Sequence, residues 1–126
     1  MTEQEKKDLQ EKRDKSGLNP DIKRLCAGTW IKNAARTGND EPAVGSCWKE
    51  YWQIFTLKEF PTTCPLCGKP LAKADVDGCH IKIYNPNTKH WSIRKYIVPG
   101  HHSCNTGLVN PFQMQITETV VEAIEK

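Results

Sequence analysis

Polar and apolar positions follow different periods along the 126 residues, and the period changes near Pro61. Residues 3–15 carry five Lys/Arg and five Asp/Glu, with Leu9 the one sizeable apolar side chain. This predicts a solvent-exposed helix, or a mobile segment, with no face to bury. Gly17, Asn19 and Pro20 then interrupt the chain. From Ile22 to Ala35 the apolar residues Ile22, Leu25, Cys26, Trp30, Ile31, Ala34 and Ala35 fit helical spacing, with Gly28 a weak point. Gly38, Asn39 and Pro42 mark the next break. Trp48, Tyr51, Trp52 and Phe55 stand at i, i+3, i+4 and i+7, so a helix there places four rings on one face. Lys49, Glu50 and Gln53 take the other side, and Ser46 is the candidate N-cap. The stripe reads as core rather than as a base-stacking platform, because stacking rings are exposed.

After Pro61 the pattern becomes one of short strands. Ile81–Tyr84 and His90–Ile93 are extended runs separated by Asn85-Pro86-Asn87-Thr88, which has turn chemistry. A third run, Tyr96–Val98, ends at Pro99-Gly100. Near the C-terminus Phe112, Met114 and Ile116 alternate as in a strand, whereas Val120, Val121 and Ile124 suit a closing helix started by Thr117.

Length and composition narrow the field. The chain suits one domain with a modest core. Its expected organisation is a charged N-terminal segment at 1–20, a helical region with the aromatic stripe at 21–60, and a metal-binding domain with a C-terminal extension at 61–126. Mean hydropathy is −0.65, and no apolar run approaches the roughly 20 residues that span a bilayer. Residues 1–10 contain no apolar leader core. The expectation is therefore a cytoplasmic protein with no membrane partner, in a reducing compartment where cysteines serve as metal ligands or buried thiols. A formal net charge of +3 permits nucleic-acid binding without arguing for it.

The cysteines carry the chemistry. Cys64-Pro65-Leu66-Cys67-Gly68 is a C-x-x-C followed by glycine, a spacing that lets two thiolates bind one ion from a tight turn. The same spacing occurs in redox pairs, but those open a helix; here Pro-Thr-Thr precedes and Gly-Lys-Pro follows, which describes a knuckle. Thirty-four residues after Cys67, His101-His102-Ser103-Cys104 offers H-x-x-C. The two pairs predict one structural Zn²⁺ held by Cys64, Cys67, His101 and Cys104, with His101 preferred to His102 because His102 would leave a cramped H-x-C. Cys26 and Cys47 have no partner motif and are expected to be buried thiols. Cys79 and His80 adjoin on a strand and point to opposite faces, so they do not form a nucleophile–base dyad.

In order, Cys64-x-x-Cys67, Asp77-Gly78-Cys79-His80-Ile81 and Tyr96-Ile97-Val98-Pro99-Gly100-His101-x-x-Cys104-Asn105 resemble the zinc-containing HNH (ββα-metal, treble-clef) superfamily over residues 62–108. The resemblance implies an α+β fold, with a small zinc-stabilised treble-clef or ββα hairpin core and N-terminal helices packed on it. It implies a divalent-metal-dependent endonuclease in which His80 is the general base and Asn105 helps hold a catalytic Mg²⁺ or another hard divalent cation. The chain departs from the family at Cys79, where a metal-ligating carboxylate or histidine normally precedes the base; the nearest carboxylate is Asp77. The family's intervening asparagine falls on Asn85 or Asn87. The implied partner is nucleic acid, DNA ahead of RNA. The alternative is an inactive treble-clef module that binds protein or nucleic acid. Lys58 to Lys95 holds seven Lys/Arg against three Asp/Glu, and His90, Trp91, Arg94 and Lys95 suggest a basic-aromatic hairpin edge. A nuclease needs Asp75 or Asp77 within reach of His80 and Asn105.

Overall fold

The computed structural model describes residues 1–107 and 111–126. Leu108, the last residue of the family-like stretch, lies outside them. The fold is mixed α+β: a curled antiparallel sheet with the two longer helices on one face and the cysteine knuckle with a short third helix on the other. Helix α1 (Glu3–Ser16) is followed by strands β1 (Ile22–Leu25) and β2 (Trp30–Asn33), helix α2 (Trp48–Thr56), β3 (Val76–Asn85), β4 (His90–Trp91), β5 (Tyr96–His101), the short helix α3 (His102–Gly107), β6 (Phe112–Gln113) and β7 (Glu118–Glu122). Strand order is β1-β7-β5-β3-β2-β6, with β4 paired to the far end of β3.

The ten-residue β3 organises this sheet. Its first half pairs with β5, from Val76 opposite His101 to Ile81 opposite Tyr96. Its middle pairs on the other edge with β2, Ile31 opposite Ile83. Its end turns back into β4, Tyr84 opposite Trp91. The expected turn closes this hairpin: the Asn85 side-chain oxygen accepts the amides of Asn87 and Thr88, and Lys89 takes a left-handed φ of 59°.

Helix α2 forms where the aromatic stripe predicts it. Tyr51 and Trp52 are fully buried, with Trp48 and Phe55 nearly so. Each polar ring tip meets a backbone carbonyl. Trp48 Nε1 donates to Asp40, Trp52 Nε1 to Thr119 and the Tyr51 hydroxyl to Glu122 at 2.6 Å. The Tyr51 oxygen also accepts the Ile124 amide. The rings thus supply apolar area while losing no hydrogen bond on burial. Ser46 is not the cap: Cys47 holds that position without a side-chain bond, and Ser46 instead pairs through its amide and hydroxyl with Glu50. α1 forms as the charge pattern predicts, capped by Thr2 and ended by left-handed Gly17, with Leu9 its one buried side chain, seated against α2.

Two segments differ from expectation. Residues 22–35 form two strands rather than a helix. Gly28, at φ +91°, turns the chain, and its amide bonds to Met114, while β1 and β2 find partners in β7 and β3. Residues 118–122 are likewise a strand. Val120 and Val121 are both fully buried because the sheet is covered on both faces, Val120 among the knuckle residues and Val121 against α2. A doubly covered strand reads as consecutive apolar residues and so mimics a helix. Among the described residues, no helix is long and apolar enough to cross a membrane.

Candidate metal centre

The knuckle is built by local hydrogen bonds. The Cys64 amide donates to the Lys69 carbonyl and the Gly68 amide to the Cys64 carbonyl, both at 2.8 Å. Gly68 takes φ +77°, a conformation that side chains disfavour. The Pro65 carbonyl accepts the Gln115 amide, which pins the knuckle to the segment after β6. From the other side, β5 ends at His101 and α3 carries Cys104. Gly100 allows this approach, because a Cβ there would lie 2.9 Å from Leu66 Cδ1.

The four ligand atoms of Cys64, Cys67, His101 and Cys104 all lie within 4.8 Å of one another. Cys64 Sγ is 4.0 Å from Cys104 Sγ, and Cys67 Sγ is 3.2 Å from His101 Nδ1. A tetrahedral zinc with bonds of about 2.3 Å to sulfur and about 2.0 Å to nitrogen separates its ligands by roughly 3.5–3.8 Å. The donor set therefore fits a metal ion such as zinc, and Nδ1 is the imidazole atom turned toward it. Electrostatics point the same way. Burial alone would raise the Cys67 thiol, but the Lys69 amide, His101 and the neighbouring thiols outweigh it and bring it down to about 7. Cys104 is pushed up to about 12 by burial and by the charge of Cys64 and Cys67. Three sulfurs this close cannot all ionise without a cation among them.

His102 goes elsewhere. Its Nδ1 lies 2.5 Å from Asp77 Oδ2, and the same oxygen accepts Asn105 Nδ2 at 3.2 Å. Asp77, His102 and Asn105 therefore form one polar cluster at the start of α3, on the knuckle side of β3. Asp77 meets Asn105 as a nuclease would require, but His80 does not join them. From Gly78 to Ile81 the strand alternates, with Cys79 and Ile81 toward the knuckle and Gly78 and His80 toward α2. Cys79 lies against Gly100, while a Cβ on Gly78 would come within 2.6 Å of the Trp48 backbone. His80 packs edge-on against the Trp48 ring, with centroids 4.6 Å apart.

His80 and Asn105, expected in one pocket, thus lie on opposite sides of the sheet. His80 is 4% exposed, and its Nε2 has no hydrogen-bond partner. Burial drives its pKa down to about 4, against a weaker pull from Asp40. It is an almost wholly covered core imidazole, held neutral at pH 7.

No family model, curated protein or solved structure matches this chain.

Other sequence expectations meet the fold unevenly. Cys79 and His80 do point to opposite faces, both of them buried. Cys26 is exposed and Cys47 half-buried, not core thiols. In the suggested basic-aromatic edge, Lys95 is held by Asp40 and Glu125, and Arg94 by Glu122. Trp91 remains there and is joined by Trp30 and Tyr84, which line one cleft with it. Sequence reading missed that grouping because the three rings come from strands up to 61 residues apart in number. The Asp77–His102 contact was signalled only by Asp77 being the carboxylate nearest the HNH-like motif.

Proposed function

We propose that this chain is a zinc-stabilised, HNH-like module that binds nucleic acid, its zinc serving to hold the knuckle and α3 on the sheet. The carrying observation is the segregation of charge. From Gly78 to Thr117 the chain has no Asp or Glu. Lys32, Lys82 and Lys89, on β2, β3 and the turn after β3, have no carboxylate within ion-pair distance among the described residues. Lys32 and Lys82 stand opposite each other on the sheet, and cations without counter-charges are what a phosphate backbone recognises, through release of its condensed counterions.

A second reading, divalent-metal-dependent phosphodiester cleavage, is favoured by the Asp77–His102–Asn105 cluster. A carboxylate beside an exposed imidazole can hold a hard cation and move a proton. In that reading the acting imidazole is His102, since His80 is sealed under Trp48.

Fluorescence anisotropy with labelled single-stranded and duplex oligonucleotides tests the first reading, at 50 and 200 mM salt. Binding that weakens steeply with salt is expected; no binding at low salt by folded, zinc-loaded protein overturns it. Plasmid nicking with Mg²⁺, Mn²⁺ or Ni²⁺ tests the second. Activity lost in both Asp77→Asn and His102→Ala supports cleavage, and no nicking with any of the ions leaves binding alone.

A further inference from the structure

The two strands flanking the end of β3 bring three aromatic rings into one row. Ile31 stands opposite Ile83 and Lys32 opposite Lys82, so the register carries Trp30 beside Tyr84. On the other edge of β3, Tyr84 stands opposite Trp91. Trp30, Tyr84 and Trp91 therefore cross β2, β3 and β4 on the same sheet face that buries His80 farther along, beyond the reach of α2. They line an apolar cleft of about 190 Å³ together with Pro111. The Tyr84 and Trp91 rings are 5.2 Å apart and tilted by 58°, and Trp30 is 46% exposed.

This surface differs from the buried stripe on α2 in two ways. Trp30 is exposed and Tyr84 and Trp91 are half-buried, and the rings carry no hydrogen bond from an indole N–H or from the Tyr84 hydroxyl to any described residue, whereas Trp48, Tyr51 and Trp52 are all satisfied. The two charged side chains paired across this face, Lys32 and Lys82, are also both cationic. Lys32 and Lys82 share the face, and Lys32 Nζ sits 4.5 Å from the Trp91 ring centroid. The rings supply flat apolar area, and the ammonium groups beside them supply attraction for an anion.

Few partners match both properties. A second copy of this chain would set lysine against lysine across a two-fold axis, which like-charge repulsion opposes. Duplex nucleic acid meets the lysines but hides the faces of its bases. A single strand presents base faces and phosphates together, and stacking on exposed rings beside cations is how such strands are bound.

We propose that the Trp30–Tyr84–Trp91 face, with Lys32 and Lys82, binds single-stranded nucleic acid by stacking bases on the rings and pairing phosphates with the lysines. This rests on the nucleic-acid reading above and names the substrate class and the surface. Because rings and lysines here read features common to DNA and RNA, both sources have to be compared.

The test is titration of the zinc-loaded full chain with dT12, U12 and a 12-base-pair duplex, followed by tryptophan emission and by anisotropy. Trp48 and Trp52 are buried, so quenching by a bound strand reports on Trp30 and Trp91. Quenching by either single strand is expected, with weaker binding of duplex; the tighter strand identifies the source as DNA or RNA. Trp30→Ala should weaken single-strand binding about 10-fold or more, and Lys82→Glu should weaken it and flatten its salt dependence. Trp30 and Lys82 lie at the surface, and circular dichroism checks that both variants stay folded. Lys15→Ala, on the exposed side of α1, should bind as wild type. Single-strand binding unaffected by Trp30→Ala and Lys82→Glu, or duplex preferred to both strands, overturns this surface while nucleic-acid binding stands. Absence of binding to all three probes overturns both.

Discussion

His80 offers a quantitative test, because its burial makes a definite statement about stability and pH. The imidazole is sealed under Trp48 with Nε2 unpaired, and its pKa falls from an ordinary 6.5 to about 4. Between these values the unfolded chain binds a proton that the folded chain refuses. Stability is therefore full above pH 6.5 and is lost as pH falls toward 4. With those two values the loss at pH 5 is about 2 kcal/mol, rising toward about 3 kcal/mol below pH 4. His80→Leu removes the proton site and fills the space with apolar atoms, so at pH 7.5 it should unfold within about 1 kcal/mol of wild type. Urea denaturation of both proteins at pH 7.5, 6 and 5 isolates the term. Protonation of the Cys3His cluster acts on both proteins and cancels, since His80 touches none of its four residues. The expected result is a gap that moves by about 2 kcal/mol in favour of His80→Leu between pH 7.5 and 5. A gap that stays constant with pH would mean that His80 titrates normally and is open to solvent, which refutes its placement in the core.

Two further changes probe how α2 sits on the sheet. Gly78→Ala should cost roughly 1–3 kcal/mol or more, because the added methyl would meet the Trp48 and Lys49 backbone at 2.6 Å; a thermal melt unchanged from wild type would show that α2 does not approach β3 so closely. Tyr51→Phe should cost about 1–3 kcal/mol in urea denaturation, since it removes the hydroxyl bonded to the Glu122 carbonyl and the Ile124 amide. An unchanged midpoint would count against that anchor.

The Cys3His cluster and α2 were legible in the sequence because their signals are local. C-x-x-C and H-x-x-C each place two donors within one turn, and four rings at helical spacing need no distant partner to form a face. The two strands within residues 22–33, and β7, were hidden because what makes them strands lies far away: Ile22 pairs with Val121 and Ile31 with Ile83. Isolated apolar spacing there fits a helix as well as a strand, and pairing across the chain decides the outcome. His80 shows a subtler limit. Strand alternation correctly separates it from Cys79, but which face is sealed depends on where α2 docks, and that docking turns on Gly78. The family-like motif placed His80 and Asn105 in one order along the chain, whereas the sheet keeps them on opposite sides.

We propose that one zinc ion, held by Cys64, Cys67, His101 and Cys104, braces this fold. Metal analysis of purified protein, paired with circular dichroism before and after a strong chelator and with Cys67→Ser alongside, tests it most directly. One zinc per chain, loss of structure on chelation, and a Cys67→Ser protein that is unfolded or zinc-free are expected. A metal-free wild type that is fully folded, or a Cys67→Ser chain that keeps both its zinc and its melting temperature, would contradict it.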